Sequence, residues 1–171
     1  MDAAARRRRG VALRAGRGAA VRYAHPYHTR YSGGGAGALT DGILASPDFK
    51  DGLWQGFERD DLDATLDLGR VLRVSSTSVE CLNEVESWIL LPRRVSFETS
   101  IDGNSFTPVG VVENDVPVDS YDRRIKRFTA AFPPRDVRYV RVRAENIGTL
   151  PSWHKGAGGG AWIFADEIIV Q

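Results

Sequence analysis

Two carboxylates stand side by side in an apolar segment, Asp166 and Glu167 in WIFADEIIV. A charge inside an apolar strand is costly unless a positive partner meets it, so this segment calls for an arginine or a metal ion close by. Just upstream, PSWHKGAGGG carries Trp153 and His154 beside a glycine run where no strand pattern would bury them. An exposed indole suits the apolar face of a sugar ring, with neighbouring polar groups for the hydroxyls. Trp153 and His154 are therefore glycan-binding candidates; the alternative is that Trp153 packs against the end of the domain or a neighbouring one. The other three tryptophans, Trp54, Trp88 and Trp162, sit in apolar sequence and are expected in the core.

The loop HPYHTRY holds His25, Tyr27 and Tyr31, aromatic groups that would line a glycan site or pack on a preceding domain. The His25–His28 spacing occurs in metal sites, but no cysteine or further histidine clusters with it, which argues against a transition metal. Catalysis finds no support either. There is no GxSxG elbow, His154 has no identifiable partner, and Asp60–Asp61 read as a solvated acidic loop.

Those side chains need a scaffold, and 171 residues with 42% hydrophobic and 26% charged content fit one ordinary globular domain. The single cysteine, Cys81, excludes an internal disulfide and is expected as a small buried apolar residue. No run of about 18 apolar residues is present, so no membrane span is expected. Residues 1–22 hold seven arginines against one acid, leaving residues 23–171 at net −5. A basic leader on an acidic body is not the charged folded face of a nucleic-acid-binding domain. Arg14 and Arg17 interrupt what would be the apolar core of a signal peptide. The reading is a poorly ordered tail or linker over 1–22 and one module over 23–171.

From Asp63 onward the chain reads as short strands with turn chemistry between them, and nowhere carries a long helical period. VSFETS places Val95, Phe97 and Thr99 on one face, and the Asp-Gly turn in IDGNSF pairs it with FTPVGVV as a hairpin. KRFTAAF alternates Phe128, Ala130 and Phe132 inward; RYVRVRA does the same with Val140, Val142 and Ala144. With DATLDLG, VLRVSSTSVECL, SWILLP and WIFADEIIV the expectation is about eight strands. They would form an all-β, two-sheet antiparallel sandwich of jelly-roll type. The glycine-rich first 60 residues show no period and are expected as ordered loops that need an anchor.

Three blocks, ALTDGILAS followed by a tryptophan, LPRRVSFETSIDGNSFTPVG, and RYVRVRAENIG with a closing DEIIV, resemble the discoidin or factor 5/8 type C fold. That galactose-binding-like group includes the family 32 carbohydrate-binding modules, and the resemblance spans roughly residues 25–171. WQGFERDDLDATLDLG, SWILLP and WHKGAGGGAWIFADEI look more narrowly like the module at the C-terminus of bacterial family 20 glycoside hydrolases, the β-N-acetylhexosaminidases. The resemblance implies a non-catalytic accessory domain, extracellular or periplasmic in its parent protein. Such a domain would either bind glycans of N-acetylhexosamine or galactose type or dock on the parent hydrolase without binding sugar. It also implies a structural calcium ion held by the Asp41 and Glu167 side chains, by the carbonyls of Ala38, Ile43 and Asp166, and by a carbonyl or hydroxyl of Ser46. Hard oxygen donors on a glycine-flanked loop suit that ion, which would tie the loop to the last strand. The competing reading has Asp41 capping a turn and Glu167 paired with an arginine.

Overall fold

The computed structural model describes residues 15–171 and is all-β. Seven strands form the body: β1 Ala20–Tyr23, β2 Gln55–Glu58, β3 Leu62–Asn83, β4 Arg94–Ser100, β5 Thr107–Glu113, β6 Arg124–Ala144 and β7 Trp162–Val170. Two of them are long enough to serve both layers of a sandwich. The first leg of β3, to Asp67, pairs with β1 and with β6 from Tyr139 to Ala144, and that part of β6 pairs in turn with β4 and the β4–β5 hairpin. The second leg, from Thr77, pairs with β7 and with the start of β6, and β2 adds to β7 as the outer strand. Every pairing between strands is antiparallel, giving the jelly-roll sandwich expected from the alternation.

The strand count differs from eight for physical reasons. DATLDLG and VLRVSSTSVECL are one strand of 22 residues, because Gly69, at φ +78°, sits in a register shift between Asp67 and Leu72 that bends the strand without ending it. KRFTAAF and RYVRVRA likewise run together. Pro133 and Pro134 fall where the register slips between Ser76↔Ala131 and Val74↔Arg135, so no ladder bond is lost there. SWILLP is not a strand: Val85–Ser87 forms a 3₁₀ turn, and Ile89 makes only bridge contacts to Glu84 and Trp162. Conversely, β1 and β2 lie in the stretch that lacks a period, being too short to show one.

The boundary expected at residue 22 falls inside the folded body. Ala15 donates to the Val170 carbonyl at 2.8 Å, and β1 pairs with β3 across Ala20↔Asp67 to Tyr23↔Ala64. Residues 1–14 of the arginine-rich leader lie outside the described residues. Among the described residues no helix is long and apolar enough to cross a membrane.

Alternation puts Leu62, Ala64, Leu66, Val95, Phe97, Val140, Val142 and Ala144 of one layer against Val79, Phe128, Ile163 and Ile168 of the other, in one buried cluster. Phe128 and Ala130 are buried as expected, while Phe132 is half-buried at the bend. Cys81 is fully buried among them. Asp63 faces the other way and is nearly buried, with both its oxygens on Arg141 at 2.9 and 2.7 Å. This bidentate contact holds the Asp63 carboxyl below its ordinary range. A depressed carboxyl contributes stability above its unfolded value, near 3.8, and that contribution is lost as pH falls below it. Asp63→Asn should therefore cost about 1–2 kcal/mol in urea melts at pH 7, and the deficit should shrink toward pH 3.

Candidate functional site

The start of β7 and the loops around it build a cavity of about 350 Å³ with an aromatic floor. Trp162, which opens β7, packs edge-on against Tyr31, with centroids 5.3 Å apart, and against His28 at 5.0 Å. Tyr31 in turn lies 4.7 Å from Phe164, and Phe49 stacks edge-on against both at 6.4 and 6.1 Å. The 3₁₀ turn Thr29–Tyr31 presents Tyr31 because His28 caps it, its Nδ1 accepting from the Arg30 amide at 3.1 Å. Arg30 lies over the Tyr31 ring at 5.5 Å.

Trp88 also lines the cavity and is 41% exposed. It ends the Val85–Ser87 turn in a left-handed conformation, φ +68°, which costs a bulky residue energy and needs support. Support comes from both its backbone groups: its N–H donates to Val85 and its carbonyl accepts from the Trp162 N–H at 3.0 Å. The indole then lies across Gly156, where a Cβ would stand 2.7 Å from Nε1. The glycine run after Trp153 thus gives Trp88 its seat. Glu58, at the end of β2 opposite Trp162, supplies a carboxylate to the same cavity. The whole is concave, with aromatic rings beside the polar groups of His28, Arg30 and Glu58, an arrangement suited to stacking a sugar ring and hydrogen-bonding its hydroxyls.

Of the glycan candidates named from sequence, Tyr31 lines this cavity, and Tyr27 lines a second one beside it, its ring edge-on to Tyr23 at 5.3 Å. His25 is exposed on the same loop and lines neither. His154 is corrected. It is buried, with Nε2 donating to the Val85 carbonyl at 2.7 Å and Nδ1 accepting from Gly156 at 2.9 Å, so its ring is occupied in fixing the loop. Trp153 is 42% exposed as expected, but it pairs with Tyr121 at 6.3 Å, outside the residues that line the cavity. Trp54 is core, Trp162 is half-buried as cavity floor, and Trp88 is exposed where burial was expected. The apolar neighbours of Trp88 concealed it. The left-handed turn that lifts it out leaves no sequence mark except the distant glycines.

Of the proposed cation donors, Asp41 and Glu167 lie on adjoining segments. Glu167 accepts the Gly42 N–H at 3.2 and 3.1 Å, Asp41 caps its own turn by accepting from the Ile43 amide at 2.7 Å, and Asp166 accepts from the Ala45 amide at 2.7 Å. The loop that begins at Ala38 thus lies against β7. Burial pushes the Asp166 carboxyl up to about 6, with the charges of Glu80 and Asp41 adding to the effect. Ser46 is engaged elsewhere, its hydroxyl on Asp51 at 2.8 Å and its carbonyl on the Trp54 indole at 2.9 Å. Among the described residues no three His, Cys, Asp or Glu side chains form a metal cage by themselves, so an ion here would depend on main-chain oxygens. Carboxylate and carbonyl oxygens are the donor type that a hard cation takes.

No family model and no curated protein matches the sequence. Solved structures do match. CpGH89CBM32-4 from Clostridium perfringens, in complex with GlcNAc-α-1,4-galactose, aligns with a TM-score of 0.59 at 11% identity over 93% of this chain and 94% of its own. CpGH89CBM32-5 from the same organism, in complex with GalNAc-β-1,3-galactose, gives 0.52 at 18% identity over 88% and 92%. Chitosan-binding module 1 of the chitosanase/glucanase from Paenibacillus sp. IK-5 gives 0.58 at 13% identity over 92% and 98%. At such identities the likeness defines the fold. This chain has the β-sandwich of these carbohydrate-binding modules.

Proposed function

We propose that the chain is a non-catalytic carbohydrate-binding module that holds a glycan in the Trp88–Trp162 cavity. The observation that carries this reading is the exposed indole of Trp88 in a cavity also lined by Tyr31, Phe49, Trp162 and Phe164, with His28, Arg30 and Glu58 beside them. Neighbours of the same fold are described in complex with GlcNAc- and GalNAc-containing disaccharides, which favours a neutral or N-acetylated hexose in this cavity. The narrower resemblance of WHKGAGGGAWIFADEI and SWILLP suggests an accessory role beside a β-N-acetylhexosaminidase or another glycoside hydrolase, outside the cell or in the periplasm. A structural calcium ion belongs to the same reading: Asp41 and Glu167 would hold it with the carbonyls of Ala38, Ile43 and Asp166, clamping the early loop to β7.

Titration calorimetry of N-acetylglucosamine, N-acetylgalactosamine and galactose into the folded chain is the direct test. The expected result is weak, saturable binding of at least one, with Kd on the order of 0.1–10 mM for so small a ligand. No heat from any glycan on a screening array, with the melting transition intact, would favour the second reading, a module that docks on its parent enzyme. That reading has its own support in the exposed Trp153, Tyr121 and Val118, none of which lines the cavity.

A further inference from the structure

A second cavity of about 370 Å³ adjoins the first and shares two of its walls, His28 and Glu58. Its remaining lining includes Tyr27, Thr29 and Asp60. The two differ in charge. The aromatic cavity has Arg30 to offset Glu58, whereas the adjoining one has two carboxylates, Glu58 and Asp60, and no Lys or Arg in its lining. Nor do nearby arginines neutralise them: Arg143 is held by Asp61 at 2.9 Å, and Arg59 reaches Thr149 and the Gly158 carbonyl. Among the described residues neither Glu58 nor Asp60 has an ion-pair partner. Each cavity has room for one hexose, and a glycosidic linkage between two such rings would pass the shared His28 and Glu58.

We propose that the site is a two-ring groove whose second subsite, built by Tyr27, Thr29, Asp60 and the shared Glu58, takes a hexosamine bearing a free, protonated amine. The inference rests on the glycan reading of the Trp88 cavity and adds to it a ring position and a charge preference. A protonated amine placed between two exposed carboxylates gains a charge-assisted hydrogen bond, which the N-acetylated sugar cannot offer and a uronate would oppose. Tyr27, half-buried against Tyr23, offers a rigid ring to the second sugar.

The test compares N-acetylglucosamine with three β-1,4 disaccharides that share a non-reducing N-acetylglucosamine: one ending in glucosamine, one in N-acetylglucosamine, one in glucuronic acid. At pH 6 and low salt the glucosamine disaccharide should bind roughly tenfold more tightly than the monosaccharide and than the glucuronate disaccharide, with the gain shrinking at 0.5 M salt. Asp60→Asn and Tyr27→Ala should each remove most of that gain while the monosaccharide affinity is measured alongside. If both amine-bearing and N-acetylated disaccharides gain equally, or if neither gains while monosaccharide binding persists and depends on Trp88, the second subsite is wrong and the glycan reading stands. If the monosaccharide itself fails to bind, the glycan reading falls first.

Discussion

Replacing Trp88 with alanine should weaken glycan binding by roughly 10- to 100-fold, the loss of about 1.5–3 kcal/mol that a stacked aromatic anchor supplies in a small site. The fold should survive the change. Trp88 is 41% exposed, its backbone contacts to Val85 and Trp162 do not involve the indole, and surface truncations of this kind seldom cost much stability. Trp153→Ala is the matched control, because that indole has the same exposure but pairs with Tyr121 rather than with the cavity. Calorimetry on the two variants should show affinity lost in the first and kept within about twofold in the second. The reverse result would move the sugar site to the Trp153 surface. Gly156 offers an independent check on the same geometry. A methyl there would press on the Trp88 ring, so Gly156→Ala should weaken binding although no residue that lines the cavity is replaced.

The contrast between these two tryptophans marks how far sequence alone reaches. Alternation in VSFETS and RYVRVRA identified the inward residues of the sandwich correctly, because a period of two is a local consequence of the pleat. Strand limits were harder. Gly69 and Pro133–Pro134 are strong local breakers, yet each sits in a bulge where a bend is what the fold needs, and the long strands β3 and β6 pass through. The candidate site was half legible. Tyr31 and Tyr27 were visible because their loop has aromatics and no period to bury them. Trp88, Trp162 and Glu58 were not, since they meet only when β2 pairs with β7 and the Val85–Ser87 turn folds onto β7's first residue. His154 misled for the opposite reason: a histidine among glycines reads as exposed, but the glycines wrap it.

Calcium at 1 mM should raise the melting temperature of chelator-treated protein by about 5–10 °C. The estimate follows if the ion binds the native state with a Kd near 10 µM: a hundredfold excess then contributes about 2.7 kcal/mol, and a domain of this size gains roughly 2–4 °C per kcal/mol. The reason to expect a stabilising ion lies in β7. Asp166 and Glu167 are both buried, Gly42 and Ala45 of the loop donate to them, and burial, with the charges of Glu80 and Asp41 adding to it, raises the Asp166 carboxyl. A divalent cation held by these carboxylates would favour their charged forms and fix a loop that continues through Ala45 and Phe49, the latter part of the Trp88–Trp162 cavity. Glu167→Gln and Asp41→Asn keep a hydrogen-bond acceptor at each position while lowering cation affinity, so the calcium-dependent rise should disappear in both even where the metal-free melting temperature goes up. A wild-type transition that calcium and chelator leave in the same place would mean that the contacts already within the fold suffice, and that Asp41 and Glu167 serve as turn and strand anchors only.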